Sequence, residues 1–450
     1  MSGLEIALIA FALMLLAIFM RVPVALAMGL TGFLGTWLVL GRATPMLSQM
    51  KTLGFDTFSN YSLSIVPMFL LMGNFATRSG MSAALFEAAS DWIGHRKGGI
   101  AMAAVGGCAG FGAVCGSSLA TASTMGQVAL PEMRKRGVSD ALATGVLAAG
   151  GTLGILIPPS VILVIYAILT EQNIVKMFMA ALIPGVLAAL GYMLTVAIYV
   201  RIVPDAAGRA SRVPYKQRFK TLLRIWPVVM IFALVIGGIA ADWDWSKPGM
   251  QALFTPTEGA AFGMVATGLY GIATGGLGWS AFWQSVLGAG RATAMIFLIV
   301  LGAQFFNSFL AFTQAPQMLA QWIAEQGYAP LTVLVAMLVI YVVLGCVMDS
   351  LSMILLSVPI FFPIIETLNF GLSPEDTAIW FGVLALIVVE VGLITPPVGM
   401  NLFIINALDR DIPMSRTFAG VLPFVASDLL RVALLVAFPA ITLWLLPSVV

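Results

Sequence analysis

The sequence predicts an all-α integral membrane protein built from inverted-topology repeats, with two re-entrant helical hairpins and two broken helices. Three observations carry this. Only 9% of the 450 residues are charged and 60% are apolar, with a mean hydropathy of +1.02; soluble domains carry roughly 25% charged and about 45–50% apolar residues. Apolar stretches near 20 residues follow one another along the chain, each long enough to cross a ~30 Å hydrocarbon core as helix. One motif, Gly-x-x-x-Pro-Pro, occurs at Gly154–Pro159 and again at Gly392–Pro397. The solvent of this chain is lipid.

In chain order, crossing helices are expected near 4–20, 22–40, 61–77, 141–170, 178–200, 224–241, 254–275, 292–312, 378–405 and 418–447. The first lacks a basic leader and an Ala-x-Ala cleavage site, so it reads as a retained helix. The longest polar insertion, 201–224, holds seven Lys or Arg in 24 residues, which places it in the cytoplasm. Counting outward from it puts 17 basic residues inside and four outside (Arg42, Lys51, Lys176, Lys247), with Arg431 within the last helix. Both termini then fall on the outer side.

That count closes only if two stretches enter and leave on one side. The stretch 98–133 lies between His95-Arg96-Lys97 and Arg134-Lys135-Arg136, so both its ends are cytoplasmic. The stretch 331–365 lies between Glu325 and Glu366, Glu375 and Asp376, and no Lys or Arg occurs from 292 to 409. Both its ends are therefore periplasmic. Each stretch reads as a re-entrant hairpin, one opening inward and one outward.

The halves repeat each other. Gly73-Asn74-Phe75 precedes Trp92-Ile93 by 19 residues, and Gly302 precedes Trp322-Ile323 by 20. A hairpin and then Gly-x-x-x-Pro-Pro follow in both. One Pro-Pro is an ordinary kink that removes two backbone donors. Two, at matched positions after matched hairpins, mark helices broken at membrane depth. Because the halves face opposite ways, the repeat is inverted, a transporter signature that puts substrate and ions near the midplane.

The hairpin tips hold the candidate chemistry. Residues 106–118 contain five glycines, followed by Thr121, Ser123 and Thr124. Irregular backbone at membrane depth is tolerated only inside protein or along a wet cavity. Glycine carbonyls and hydroxyls there make neutral oxygen ligands of the kind hard cations take. The second tip, 345–352, carries Asp349, whose insertion costs ~2.5–3.5 kcal/mol if unpaired. It should face the wet interior, near a cation or a helix N-terminus. Glu390 is the other deep carboxylate, equally consistent with a hydroxyl partner beside a hydrated cavity and with a role in coupling. Thr255-Pro256-Thr257-Glu258 is a capping box with proline at the first helical position, and so a helix start.

Other functions are excluded. Cys108, Cys115 and Cys346 form no CxxC pair and have no His nearby, so neither a zinc site nor a disulfide framework is readable. His95 is the only histidine and belongs to a basic anchor. No GxxxxGK[ST] loop occurs, and an intramembrane hydrolase would need a nucleophile–base pair that the sequence does not supply. A net charge of +2 gives no nucleic-acid surface. The chain reads as a carrier, with no enzyme activity and no organic cofactor.

The sequence resembles the large membrane subunit (M, DctM-like) of tripartite ATP-independent periplasmic (TRAP) transporters over essentially its whole length. The resemblance is carried by Gly112-Ala-Val-Cys-Gly-Ser-Ser118, Pro131-Glu132-Met133, Gly154–Pro159, Thr255–Glu258, Met348-Asp349, Pro359 with Pro363, and Gly392–Gly399 continuing to Asn401-Leu402-Phe403. Cys115 departs from the Ser common in the family and is left out of the ligand set. The resemblance implies Na⁺-coupled uptake of an organic acid, such as a C4-dicarboxylate, across the bacterial inner membrane. It also implies a periplasmic substrate-binding protein (P), a small four-helix membrane subunit (Q), and an elevator motion of the ion-transporter-superfamily kind. The alternative is a stand-alone Na⁺- or H⁺-coupled anion carrier without a binding protein.

On that frame, 1–60 holds N-terminal scaffold helices and 61–177 the first transport repeat, with hairpin 98–133. Residues 178–291 are central scaffold with the basic loop 201–224, 292–408 the second transport repeat with hairpin 331–365, and 409–450 the C-terminal scaffold helix. Two Na⁺ sites are expected because each broken helix frees carbonyls beside a polar tip. The first joins Gly112, Ser117 and Ser118 to the carbonyls from Gly154 to Pro158. The second joins Asp349 and Ser350 to Gly392–Pro396, including Thr395. With no Lys or Arg in either hairpin, an organic anion should sit between the tips. Helix N-termini and Ser117, Ser118, Thr121, Ser350, Thr395 and Asn401 would hold it.

Overall fold

The computed structural model describes residues 3–42, 44–240 and 253–446, and no strand occurs among them. Lys247 and the ends of the expected crossings at 241 and 447 lie outside the described residues. The chain opens with α1 (Gly3–Phe19), α2 (Val24–Leu40) and α3 (Thr44–Ser59), then α4 (Ile65–Arg78) and α5 (Met81–Ile93). The first hairpin is α6 (Gly99–Cys115) and α7 (Ser118–Lys135). The first broken helix follows as α8 (Asp140–Leu156) and α9 (Val161–Leu169), bent by 46°.

The middle of the chain forms α10 (Ile174–Ile202), α11 (Tyr215–Ala240), α12 (Pro256–Ala273), α13 (Trp279–Thr313) and α14 (Ala315–Glu325). The second hairpin is α15 (Pro330–Gly345) and α16 (Ser350–Thr367), and the second broken helix α17 (Pro374–Ile394) and α18 (Met400–Leu408). The chain ends in α19 (Met414–Ala437) and α20 (Ala440–Leu443). Among the described residues six helices are long and apolar enough to cross a membrane, or seven if α8 and α9 are one span.

Burial separates helices that are equally apolar. Every residue of α17 from Thr377 to Ile394 is buried, as is every residue of α8 from Leu142 to Leu156. A helix apolar on all sides either faces lipid or is enclosed by protein; these two are enclosed. Outer helices instead turn large side chains outward, among them Leu38, Leu223, Trp226 and Leu430. The long arms of the two broken helices, α8 and α17, are thus enclosed by protein, and the hairpins pack on them: α6 and α7 on α8, α15 and α16 on α17.

Several boundaries differ from expectation. The basic segment 201–224 is shorter as a loop, because α11 begins at Tyr215 and carries Lys216, Arg218, Lys220 and Arg224 on its first turns. The helix expected at 292–312 begins at Trp279 and runs for 35 residues; Arg291 interrupts the apolar run but not the helix. The last expected helix, 418–447, ends at Ala437, where Pro439 starts a separate short turn. The helix start at Thr255 has the reciprocal capping box that its sequence spells.

Candidate functional site

In the first half, the tip between α6 and α7 lies on the break between α8 and α9. Gly112 and Gly154 touch backbone to backbone; a Cβ on Gly112 would stand 2.7 Å from the Gly154 Cα. A Cβ on Gly154 would run into Thr121 Oγ1 and stand 2.7 Å from the Ser117 carbonyl. Only glycine permits that approach. Gly116 takes a left-handed φ of 65°, and a side chain there would press on the Pro159 carbonyl at 3.0 Å. Ser117 caps α7 by accepting from the Ala120 N–H, and Ser160 caps α9 by accepting from the Leu163 N–H. The Pro158-Pro159 bond between them is cis.

The second half repeats this arrangement. A Cβ on Gly392 would lie 2.6 Å from the Gly345 Cα, so α15 crosses α17 as α6 crosses α8. The Gly399 N–H donates to the Cys346 carbonyl at 3.4 Å, tying tip to break. Asp349 caps α16, accepting from the Ser352 N–H at 3.1 Å and the Ser352 hydroxyl at 2.5 Å. The Pro396-Pro397 bond is likewise cis. The Thr395 hydroxyl donates to the Val391 carbonyl at 2.6 Å, which leaves its oxygen only lone pairs to offer.

Between the halves, one carboxylate joins both tips. Ser118 donates to Glu390 Oε2, and Ser350 donates to Glu390 Oε1 at 2.7 Å. Each serine follows its helix cap, Ser117 or Asp349, so the two hold equivalent places. The packing is also exchanged: α7 lies on α18, and α16 on α9. Asn401 reaches α8, donating to the Ala148 carbonyl at 3.3 Å, while its Oδ1 has no partner among the described residues. Thr121 Oγ1 is likewise buried, within reach of the Cys115 thiol. The structure therefore gathers Gly112, Ser117, Ser118, Thr121 and Gly154 at one tip and Asp349, Ser350, Gly392 and Thr395 at the other. Pro158 and Pro396 lie in the two breaks, and Asn401, two residues past Gly399, packs beside Gly151, where Ala122 of the first hairpin also lies.

The surroundings hold features that the sequence reading did not name. A cavity of about 380 Å³ opens between α3, α9, α13 and α16, lined by Asp56, Asn60, Glu171, Gln304 and Asn307 among others. Deep between α8, α10 and α19, Thr152, Tyr192, Asp428 and Arg431 form one chain of contacts. The Tyr192 hydroxyl donates to Asp428 at 2.7 Å, and Asp428 pairs with Arg431 at 2.9 Å. The spacing of Asp428 and Arg431 on one helix was the available signal for that pair. Glu390, already singled out as a deep carboxylate, is the one acid of α17 beyond its first turn, which holds Glu375 and Asp376.

Ion pairs join charges that the topology count puts on one side. Arg134 reaches Asp140 and Asp409, and Arg416 reaches Asp140, linking the ends of α7 and α18 to the starts of α8 and α19. Lys176 pairs with Glu375 at the other end. His95, in the turn after α5, is held below the ordinary imidazole range by partial burial and then by Arg218, Arg212 and Arg96.

Residues 11–441 match the family described as "Tripartite ATP-independent periplasmic transporter, DctM component". The chain is 33% identical, over 86% of its length and 87% of the relative's, to the C4-dicarboxylate TRAP transporter large permease protein DctM of Pseudomonas aeruginosa. It is 31% identical to the ectoine TRAP transporter large permease protein TeaC of Halomonas elongata, over 96% of each chain. Its fold is similar to the crystal structure of the Alcanivorax borkumensis YdaH transporter, with a TM-score of 0.64 at 16% identity, covering 89% of this chain and 90% of that one.

Proposed function

This chain belongs to the DctM-component family of tripartite ATP-independent periplasmic transporters, and on that premise we propose that it imports a small organic acid together with Na⁺. A periplasmic substrate-binding protein hands over the acid, and a small four-helix membrane subunit stands beside this chain in the inner membrane. The relatives are named for a C4-dicarboxylate and for ectoine, so the proposal names the class of a small carboxylate.

The observation that carries the reading is the matched pair of tips, each resting on its own Pro-Pro break and both joined at Glu390. A broken helix offers carbonyls that its own backbone does not use and N–H groups that begin the next segment. The first suit a cation, and the second an anion. One Na⁺ would lie among Gly112, Ser117, Ser118 and the carbonyls from Gly154 to Pro158. The other would lie among Asp349, Ser350, Thr395 and the carbonyls from Gly392 to Pro396. The acid would sit between the tips, near Thr121 and the first turns of α7 and α16. Bound Na⁺ then takes the part that an arginine plays elsewhere, which links the two affinities.

The movement proposed is an elevator. The hairpins and broken helices travel as one body, with the helices packed directly on α8, against the rest. Because α10 and α19 pack directly on α8, in this proposal they travel with it, although their sequence positions fall in the segments expected as scaffold.

The test is uptake by proteoliposomes holding this chain and its small subunit, with an inward Na⁺ gradient. Uptake is expected only when the binding protein is present outside. Equal uptake of free acid without it would make the chain a stand-alone carrier.

A further inference from the structure

We infer that Glu390 is a positioning residue for both proposed ion sites at once: it takes the hydroxyl protons of Ser118 and Ser350 and so leaves each serine only lone pairs to offer. The inference rests on the Na⁺-coupled reading above and adds a division of labour within it. Ser118 and Ser350 serve the cations alone, in place of the share in holding the anion that the sequence led us to expect of them, and the substrate's oxygens are held by other donors.

A serine carries one hydrogen and two acceptor lone pairs, and its hydrogen turns to whichever acceptor is strongest. At both tips that acceptor is the same carboxylate, with Oε2 receiving Ser118 and Oε1 receiving Ser350 at 2.7 Å. All three residues are buried, at 0%, 4% and 1% exposure for Ser118, Ser350 and Glu390, so water does not compete for the hydrogens. Each oxygen's remaining faces are acceptor-only. Such an oxygen attracts Na⁺ and repels a carboxylate, and it cannot donate to an anionic substrate.

Charge supports the same assignment. A buried carboxylate needs a partner, and among the described residues no Lys, Arg or His forms an ion pair with Glu390. A cation on the far side of each serine would supply that partner through one bridging oxygen. Because the two serines hold equivalent places, one carboxylate acts on two sites, and its loss is felt at both. Groups behind the direct ligands orient them and tune ion affinity in this way, commonly by 10–100-fold at protein metal sites.

The experiment is Na⁺ titration of the reconstituted membrane complex, with binding protein present, read both by uptake and by Na⁺-induced thermal stabilisation in detergent. Glu390→Gln keeps the shape but turns an N–H₂ toward one serine, which then accepts. The half-saturating Na⁺ concentration should rise at least tenfold and the curve should become less steep. The half-saturating substrate concentration, taken at saturating Na⁺, should stay within about twofold. Ser118→Ala and Ser350→Ala should each shift the Na⁺ curve and spare the substrate constant in the same way. Glu390→Asp keeps the charge but is one methylene short of spanning both tips, and should shift Na⁺ affinity less. It covers the case in which Glu390→Gln yields too little folded protein.

Na⁺ curves of Glu390→Gln, or of Glu390→Asp where only that variant folds, that superimpose on the wild type overturn the inference alone. So do serine variants that raise the substrate constant at saturating Na⁺ more than the Na⁺ constant. A wild-type complex indifferent to Na⁺ overturns the coupled reading, and the inference with it.

Discussion

Gly345 and Gly392 meet without a side chain between them: a Cβ on Gly392 would lie 2.6 Å from the Gly345 Cα. Gly112 and Gly154 make the same crossing in the other half at 2.7 Å. Close backbone approach through small residues is how helices associate when lipid removes the hydrophobic drive between them. Here it also brings each tip onto its break.

A methyl group at either crossing should therefore cost both stability and transport. Gly392→Ala and Gly154→Ala are expected to destabilise by roughly 1–3 kcal/mol, as overpacked sites do, with uptake reduced more than yield. Gly290→Ala is the control, since nothing stands within 4 Å of a Cβ there. Thermal unfolding in detergent and uptake by the same preparations check the pair. Equal behaviour of Gly392→Ala and Gly290→Ala would show that the crossing is not tight.

Asp349 can be stripped of charge without losing its cap. Asn caps helices about as well as Asp, whereas Ala costs about 1 kcal/mol. Asp349→Asn should keep the fold and weaken the Na⁺ dependence of uptake several-fold, whereas Asp349→Ala should also lower the melting temperature. An unchanged Na⁺ affinity and steepness in Asp349→Asn would remove Asp349 from the ion site.

The buried pair of Asp428 and Arg431 behaves differently from surface pairs. Their side chains are 2% and 7% exposed, and removing one partner of a buried ion pair costs roughly 3–5 kcal/mol. Asp428→Ala should show that loss, and Asp428→Leu combined with Arg431→Met should recover most of it. Thermal unfolding of the single and double variants decides; additive losses would mean that the two residues do not act as a pair.

At the opposite extreme are Arg134, Asp140, Asp409 and Arg416, whose side chains are 20–62% exposed. Solvent screens such pairs to about 0–1 kcal/mol. Arg416→Ala should shift stability by less than that amount, and the shift should shrink further in high salt. A salt-independent loss of several kcal/mol would contradict the exposed geometry.

What the sequence made legible was whatever recurs at fixed spacing. The two Pro-Pro breaks and the two tips stand out because Gly154–Pro159 and Gly392–Pro397 share one pattern at matched places. What it hid was contact between distant parts. Ser118 and Glu390 are separated by 272 residues, and nothing in either segment announces the other. Short helices were missed for another reason: α3, α5 and α14 are only 16, 13 and 11 residues long and carry polar positions, so hydropathy alone passes over them. The packing of α10 and α19 on α8 was also invisible, because an apolar helix reads the same whether it faces lipid or protein.

The central claim is that two ion sites at the tips make an anion site without a basic side chain. The direct measurement is calorimetric titration of the organic acid into the purified membrane complex across a series of Na⁺ concentrations, with choline keeping ionic strength constant. The account predicts that affinity falls steeply as Na⁺ is withdrawn and is lost in Na⁺-free buffer. Equal affinity with and without Na⁺ would contradict it.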